Sequence, residues 1–288
     1  MIICIPTHNR ETVNEQTTIR RLPKSLYDKV YFFTCETKVD KLREVIPEEC
    51  HIIPVPFELG EYGIAGKRQF ILEWAYNNNH RKIWQIDDGC TFHQNIGPRE
   101  DGKGPMIRVI NDNEELVQYL DEMFKLLDDY PVVGTLNRAG TFRDREGDKC
   151  FLNRENGRLY TNIAMDTKIL VENDIRFEML QKEFNDPSLS IMEDYAMLLQ
   201  LVSKGFKSLQ MGNWCFDKTS FVKGGCSGVR NAELQKKTAE CLRSLYPNHV
   251  TVVEAKDSVK KDVKYNVRIA WKKFSDENIK KVEEIEEW

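Results

Sequence analysis

Two adjacent acids, Asp87 and Asp88, follow the apolar run Lys82-Ile83-Trp84-Gln85-Ile86 and precede Gly89. The run is β-prone, so it delivers both carboxylates to the carboxyl end of a strand, the edge where open α/β sheets bind ligands. Paired carboxylates at such an edge suit a hard divalent cation, and such a cation commonly bridges to phosphate oxygens. The same residues also read as an acidic strand-to-loop turn, because Asp-Gly is a turn signal. Gly66, Lys67 and Arg68 stand in the first turn of a helical pattern. There, unpaired backbone N–H groups and basic side chains can contact phosphate; the alternative is a solvated helix face. Glu193-Asp194 opens another helix, where carboxylates also act as caps and favour the dipole.

These residues need a scaffold. Met1 to Pro6 is a continuous apolar run ended by proline, the pattern of a strand buried on both faces. Lys29–Cys35 and His51–Val55 read as further strands, with helices around Glu15–Leu22 and Val39–Val45 between. Alternation of this kind implies a mostly parallel sheet in an α/β domain. Gly63–Tyr76 is helical by its spacing of Ile64, Phe70, Ile71, Trp74 and Ala75. Asn95–Ile107 and Arg138–Arg158 are rich in charge and glycine and are expected to be long loops, the first of them mobile. Asn113–Tyr130 carries one apolar stripe, from Leu116 to Leu127, behind a cap at Asp112 or Asn113. Val132–Leu136 and Ser208–Phe216 are strands, and Leu159–Ile169 reads as strand with a turn. Met192–Gly205 and Ala232–Tyr246 are helices. The tail holds strands Val250–Glu254 and Tyr265–Ala270 and a charged helix, Asp276–Trp288. Trp84 and Trp214 are expected in the core. With no clean linker, residues 1–250 form one domain, and 251–288 a basic extension packed on it.

The order of these pieces resembles the nucleotide-sugar-dependent glycosyltransferases of the GT-A fold. The first strand ends Pro6-Thr7-His8-Asn9-Arg10, a helix bears Gly66-Lys67-Arg68, a strand ends Asp87-Asp88, and a helix opens Glu193-Asp194. The resemblance covers about the first three quarters of the chain. It implies that Pro6, Thr7, Asn9 and Arg10 frame the nucleotide, and that Gly66, Lys67 and Arg68 contact the diphosphate side together with Asp87. It also implies that Asp87 and Asp88 hold Mn²⁺ or Mg²⁺ and that Asp194 or Glu193 removes the proton from the acceptor hydroxyl, Asp194 being preferred. The cation would stabilise charge on the leaving nucleoside diphosphate. The family often carries a further acid where this chain has Gly89. Asp88 then works alone with water, or Gln85 assists, and Asp217 or His249 is a candidate further ligand. The loop Lys223–Gly228, with Gly225 and then Arg230, could close over the diphosphate; it also reads as an ordinary surface loop.

A narrower resemblance rests on IWQIDDG, MEDYAMLL, GGCSGVR and YNVRIAWKK. These look like the TET-associated glycosyltransferases of bacteriophages. That likeness implies a 5-hydroxymethylpyrimidine in DNA, such as 5-hydroxymethylcytosine, as acceptor, with a UDP-sugar as the expected donor. Lys260, Lys261, Lys264, Arg268 and Lys272, with Tyr265 and Trp271 among them, form a basic stretch suited to a nucleic-acid backbone. Lysines on edge strands also block aggregation, and a net charge of −4 argues against a surface that coats nucleic acid generally. Two other readings stand beside this one: the same fold with a protein or glycan acceptor, and a nucleotide- or DNA-binding module with a decayed site. At 288 residues, 41% hydrophobic and 31% charged, the chain is expected to be globular. It shows no membrane span or signal peptide, so a cytoplasmic location is expected, in the host if the protein is viral. Its eight cysteines form no C-x-x-C pair, so reduced thiols are expected.

Overall fold

The computed structural model describes residues 1–7, 16–56, 59–98, 100, 105–138, 153–218, 231–254 and 264–286. Its centre is a single mixed sheet. The strands are β1 (Ile2–Pro6), β2 (Val30–Cys35), β3 (His51–Val55), β4 (Lys82–Ile86), β5 (Cys90–Pro98), β6 (Pro105–Val109), β7 (Val132–Asn137), β8 (Arg154–Glu155), β9 (Asn162–Asp166) and β10 (Ser208–Lys218). They lie in the order β3-β2-β1-β4-β9-β7-β10-β5-β6, with β8 attached to β10. Strands β1 to β4, β6, β7 and β10 run one way, and β5, β8 and β9 the other. The sheet is therefore mostly parallel, as the alternating pattern implied.

Side chains alternate across the sheet. Ile3 and Ile5 of β1, with Trp84 and Ile86 of β4, pack on one face against α1 (Thr17–Arg21), α2 (Val39–Arg43) and α4 (Asn113–Leu126). Ile2, Cys4 and Ile83 pack on the other, against α3 (Leu59–Asn77), α5 (Thr167–Glu172) and α7 (Glu193–Ser203). Asp112 caps α4 through the amides of Glu114 and Glu115. Helix α7 is apolar nearly all round because it is buried on both sides. Met197, Leu198 and Leu201 face the sheet, while Tyr195, Leu199 and Val202 join a third cluster. That cluster also takes residues from α6 (Met179–Glu183), α8 (Ala232–Leu245), the hairpin β11 (Val250–Glu254) with β12 (Tyr265–Ile269), and Phe274 of α9 (Trp271–Glu286).

Trp84 and Trp214 are core residues, as expected. The loop expected over 95–107 is corrected: β5 and β6 pair there as an antiparallel hairpin. Phe92 packs against Trp84 and Tyr119, and this long-range contact outweighs the turn-forming composition. The terminal helix begins at Trp271, five residues before the expected start. Most of the loop expected over 138–158 lies outside the described residues, though Arg154–Glu155 forms a short strand on β10. Cys4, Cys35, Cys50, Cys90, Cys215 and Cys241 are not joined in disulfides. No helix among the described residues is long and apolar enough to cross a membrane.

Candidate active site

Strands β1 and β4 are parallel neighbours, so Thr7 and the pair Asp87-Asp88 emerge side by side at their carboxyl ends. The Thr7 hydroxyl donates to Asp88 Oδ2 at 2.9 Å. Gln16 donates to that hydroxyl at 3.1 Å. Thr18 of α1 fixes the turn itself: its amide donates to the Asp88 carbonyl at 2.9 Å, its hydroxyl donates to the Asp87 carbonyl, and the Cys90 amide donates to the hydroxyl at 2.9 Å. The acids are thus set on a braced backbone.

Helix α3 supplies the cations. Its regular turns are broken at Gly63, where φ is 61°, and a Cβ there would lie 2.2 Å from that of Ser190. Only glycine combines that left-handed backbone with so close an approach. Gly66, Lys67 and Arg68 fall in the first turn after the break and are buried. The solvated-face alternative for Lys67 and Arg68 is therefore excluded. Lys67 Nζ donates to the Thr7 carbonyl at 2.9 Å. Arg68 spreads its guanidinium over three acceptors: Gln85 Oε1 at 2.6 Å, Asp87 Oδ1 at 2.9 Å and Glu193 Oε1 at 3.2 Å. Ile83, Gln85 and Asp87 share one side of β4 by its period of two, and that side faces α3.

Asp87 is held from two further directions. Lys218, the last residue of β10 and the register partner of Cys90, places its ammonium on Asp87 Oδ2. Burial opposes the charge on Lys218, and the Asp87 carboxylate more than offsets this, so its pKa lies above the usual lysine value. Thr161 accepts from the Asp87 amide at 3.1 Å through its carbonyl. Its hydroxyl approaches Asp87 Oδ2 at 3.5 Å. Thr161 has φ of 67°, a costly backbone for a β-branched residue. Met192, just before Glu193, has φ of 59°. Strained positions of this kind cluster at functional sites, and both border the same rim.

The two acids of α7 part company. Glu193 is bound to Arg68. No hydrogen bond or ion pair ties the Asp194 carboxylate to another described residue. Near it, Arg158 lies over the rings of Tyr160 and Tyr195, at 4.5 and 4.9 Å from their centroids. Burial opposes the Arg158 charge, and nearby Tyr195 and Asp194 favour it, leaving its pKa raised.

The remaining expected residues are less concentrated. Asp217 pairs with Arg138 at 2.9 Å, and its carbonyl accepts from Thr91 at 3.4 Å. Beside them, His93 is held below its usual pKa by burial and by the Arg138 charge. His249 lies apart, bonded to Glu277 of α9 at 2.8 Å, and is not a ligand candidate here. Lys264 just before β12, Arg268 on β12 and Lys272 at the start of α9 are exposed. Pro6 closes β1. Asn9, Arg10, Gly225, Arg230, Lys260 and Lys261 lie outside the described residues. Lys218, Thr161, Thr18 and Arg158 were not singled out from sequence.

Among the described residues, no three His, Cys, Asp or Glu side chains converge as a ready metal cage. The donor atoms nevertheless suit a divalent ion. Asp87 and Asp88 are hard oxygen donors, and Asp87 already carries a stand-in cation in the Lys218 ammonium.

Several solved structures are similar to this chain. GalNAc-T7 with UDP, GalNAc and Mn2+ is 11% identical, with a TM-score of 0.49 over 84% of this chain and 47% of that one. The mannosyltransferase PcManGT from Pyrobaculum calidifontis, in complex with GDP-Man and Mn2+, is 12% identical, with a TM-score of 0.48 over 86% and 64%. S. aureus TarS in complex with UDP is 13% identical, with a TM-score of 0.43 over 84% and 66%. No curated protein matches the chain. A family profile described as TET-Associated Glycosyltransferase matches residues 1–225. That span holds β1 through β10 and each rim residue described above, and the chain belongs to the TET-associated glycosyltransferases.

Proposed function

We propose that the chain transfers a sugar from a nucleotide-sugar, a UDP-sugar, to the hydroxyl of 5-hydroxymethylcytosine or a related 5-hydroxymethylpyrimidine in DNA. Family membership supports sugar transfer, and only the family's name suggests a DNA acceptor. The observation that carries the site assignment is the Arg68 fork. One buried side chain joins Gln85 and Asp87 at the end of β4 to the first residue of α7, so the donor rim is tied to the helix turn that carries Asp194.

In this reading Pro6, Thr7, Gly66, Lys67 and Arg68 shape the donor side, with Asn9, Arg10, Gly225 and Arg230 from the flanking segments. Asp87 and Asp88 would hold Mn²⁺ or Mg²⁺, and Asp217 joins them only if Arg138 releases it. When bound, the ion supplies Lewis-acid stabilisation to the leaving diphosphate. Asp194 takes the proton from the acceptor hydroxyl. The hydroxyl oxygen bonds to the anomeric carbon, and the bond to the nucleoside diphosphate breaks with its electron pair on the diphosphate. A base acting opposite the leaving group inverts the anomeric centre. Glu193 is a positioning residue, because its carboxylate is spent on Arg68. Lys264, Arg268 and Lys272, with Lys260 and Lys261, would meet the DNA backbone. The acceptor hydroxyl lies in the major groove, so access calls for bending or flipping of the base.

Mass spectrometry of hydroxymethylated DNA, incubated with a panel of nucleotide sugars and Mn²⁺, tests this directly. The expected result is a mass gain of one sugar on the modified base, absent in Asp194→Asn. Transfer to protein or glycan acceptors but not to DNA would replace the acceptor assignment. No turnover of any donor would leave a binding module instead.

A further inference from the structure

Asp87 holds two cations at once, and they are not equivalent. Arg68 is locked by three acceptors, and its side chain is 5% exposed. Lys218 ends a strand, its side chain is 38% exposed, and the one ion pair its ammonium makes with a described residue is to Asp87. If either lets go of Asp87, it is Lys218. The charge count of the rim matters as well. Among the described rim residues, Asp87, Asp88 and Glu193 oppose Lys67, Arg68 and Lys218, Asp194 opposes Arg158, and these charges sum to zero without any metal.

Resting on the donor and metal assignment above, we infer that Lys218 occupies the cation position on Asp87 until a divalent ion and a nucleoside diphosphate arrive together, and then moves its ammonium to the diphosphate. A divalent ion entering alone leaves two uncompensated positive charges in a partly buried site, and unpaired charge is costly there. The diphosphate brings the balancing negative charge. The released ammonium gains a phosphate partner in place of Asp87, as a flexible point-charge donor can. Metal and nucleotide therefore favour each other's binding, and by linkage the factor is the same in both directions.

The measurement is Mn²⁺ binding to the full chain, followed by the paramagnetic resonance signal of free Mn²⁺, without nucleotide and with UDP or GDP. Wild type is expected to bind Mn²⁺ weakly alone and at least about tenfold more tightly with nucleotide, within the usual range of such couplings. Lys218→Met removes the competing charge at similar size. It should bind Mn²⁺ alone about tenfold more tightly than wild type, with a smaller gain from nucleotide. Lys218→Arg keeps the charge and should behave as wild type, which also shows that the position tolerates replacement. Equal Mn²⁺ affinity of all three proteins without nucleotide, alongside nucleotide-dependent binding, overturns the Lys218 inference and leaves the metal assignment intact. Failure of every protein to bind Mn²⁺ under either condition overturns both.

Discussion

Arg68 carries the most consequence of any single residue in the rim. A guanidinium presents its donors in a fixed plane, so one side chain can satisfy Gln85, Asp87 and Glu193 together. A lysine brings the charge but not the fork. Arg68→Met takes the guanidinium from buried Glu193 and from Asp87, which keeps Lys218, and is expected to cost about 3–5 kcal/mol of stability by urea unfolding. Arg68→Lys should recover part of that stability while transfer stays impaired; full activity in Arg68→Lys would mean that the fork positions nothing. Asp194 gives the complementary case. Asp194→Asn is expected to lower kcat by about 10²–10⁴-fold, the usual worth of a positioned base, with UDP affinity by calorimetry unchanged. A loss of affinity equal to the loss in rate would assign Asp194 to binding instead. Asp87 and Asp88 were legible in the sequence because their signal is local: an apolar strand and then two acids. Lys218 and Thr161 were not, because they reach Asp87 across 131 and 74 residues of chain. Spacing says nothing about such partners until the strand order is known.

The same divide holds for the elements. Strands β1, β2 and β4 and helices α4, α7 and α8 follow from periodicity and caps, since each buries a contiguous apolar face, while β3 was marked by the turn signals that flank it. The β5–β6 hairpin was hidden because its residues mix glycine, proline and charge, and its place is decided by Phe92 packing on a distant tryptophan. Helices α5 and α6 are too short for a readable stripe. The segment entering α7 is also tied sideways. Asp186 accepts from the Ser188 amide and hydroxyl at 3.0 and 2.7 Å and pairs with Lys237 of α8 at 2.5 Å. Led by the Lys237 contact, these hold the Asp186 pKa at about 2. An unfolded aspartate titrates near about 3.9. The contribution is therefore full above about pH 4, is lost as pH falls through about 2, and is absent below that. Asp186→Asn is expected to destabilise by less than about 1 kcal/mol at pH 7, given the exposure of the pair. The gap to wild type in denaturant titrations should shrink steadily from pH 4 to pH 3. A gap independent of pH would show that the pair contributes nothing through charge.

On the scale of the whole molecule, α7 joins the site to the tail. Its first turn holds Glu193 and Asp194, and its body shares an apolar cluster with Val267 of β12 and Phe274 of α9. The exposed bases Arg268 and Lys272 are carried on those same two elements, and Lys264 leads into the first of them. A net charge of −4 conceals this local face, because a sum over the chain carries no position. Contacts to DNA phosphates release counterions, so log K falls linearly with log salt by about 0.9 per phosphate neutralised. Neutralising all three bases with glutamine should therefore flatten the salt dependence of DNA binding by up to about 2.7 in slope. Affinity should fall equally for hydroxymethylated and plain duplexes, because phosphate contacts fix register without reading sequence. Thermal unfolding of the triple variant should match wild type, since none of the three side chains is buried. An unchanged slope would remove this face from the DNA path and leave the bases as the solvated rim of an edge hairpin. A loss confined to hydroxymethylated duplexes would instead place these bases beside the modified nucleotide.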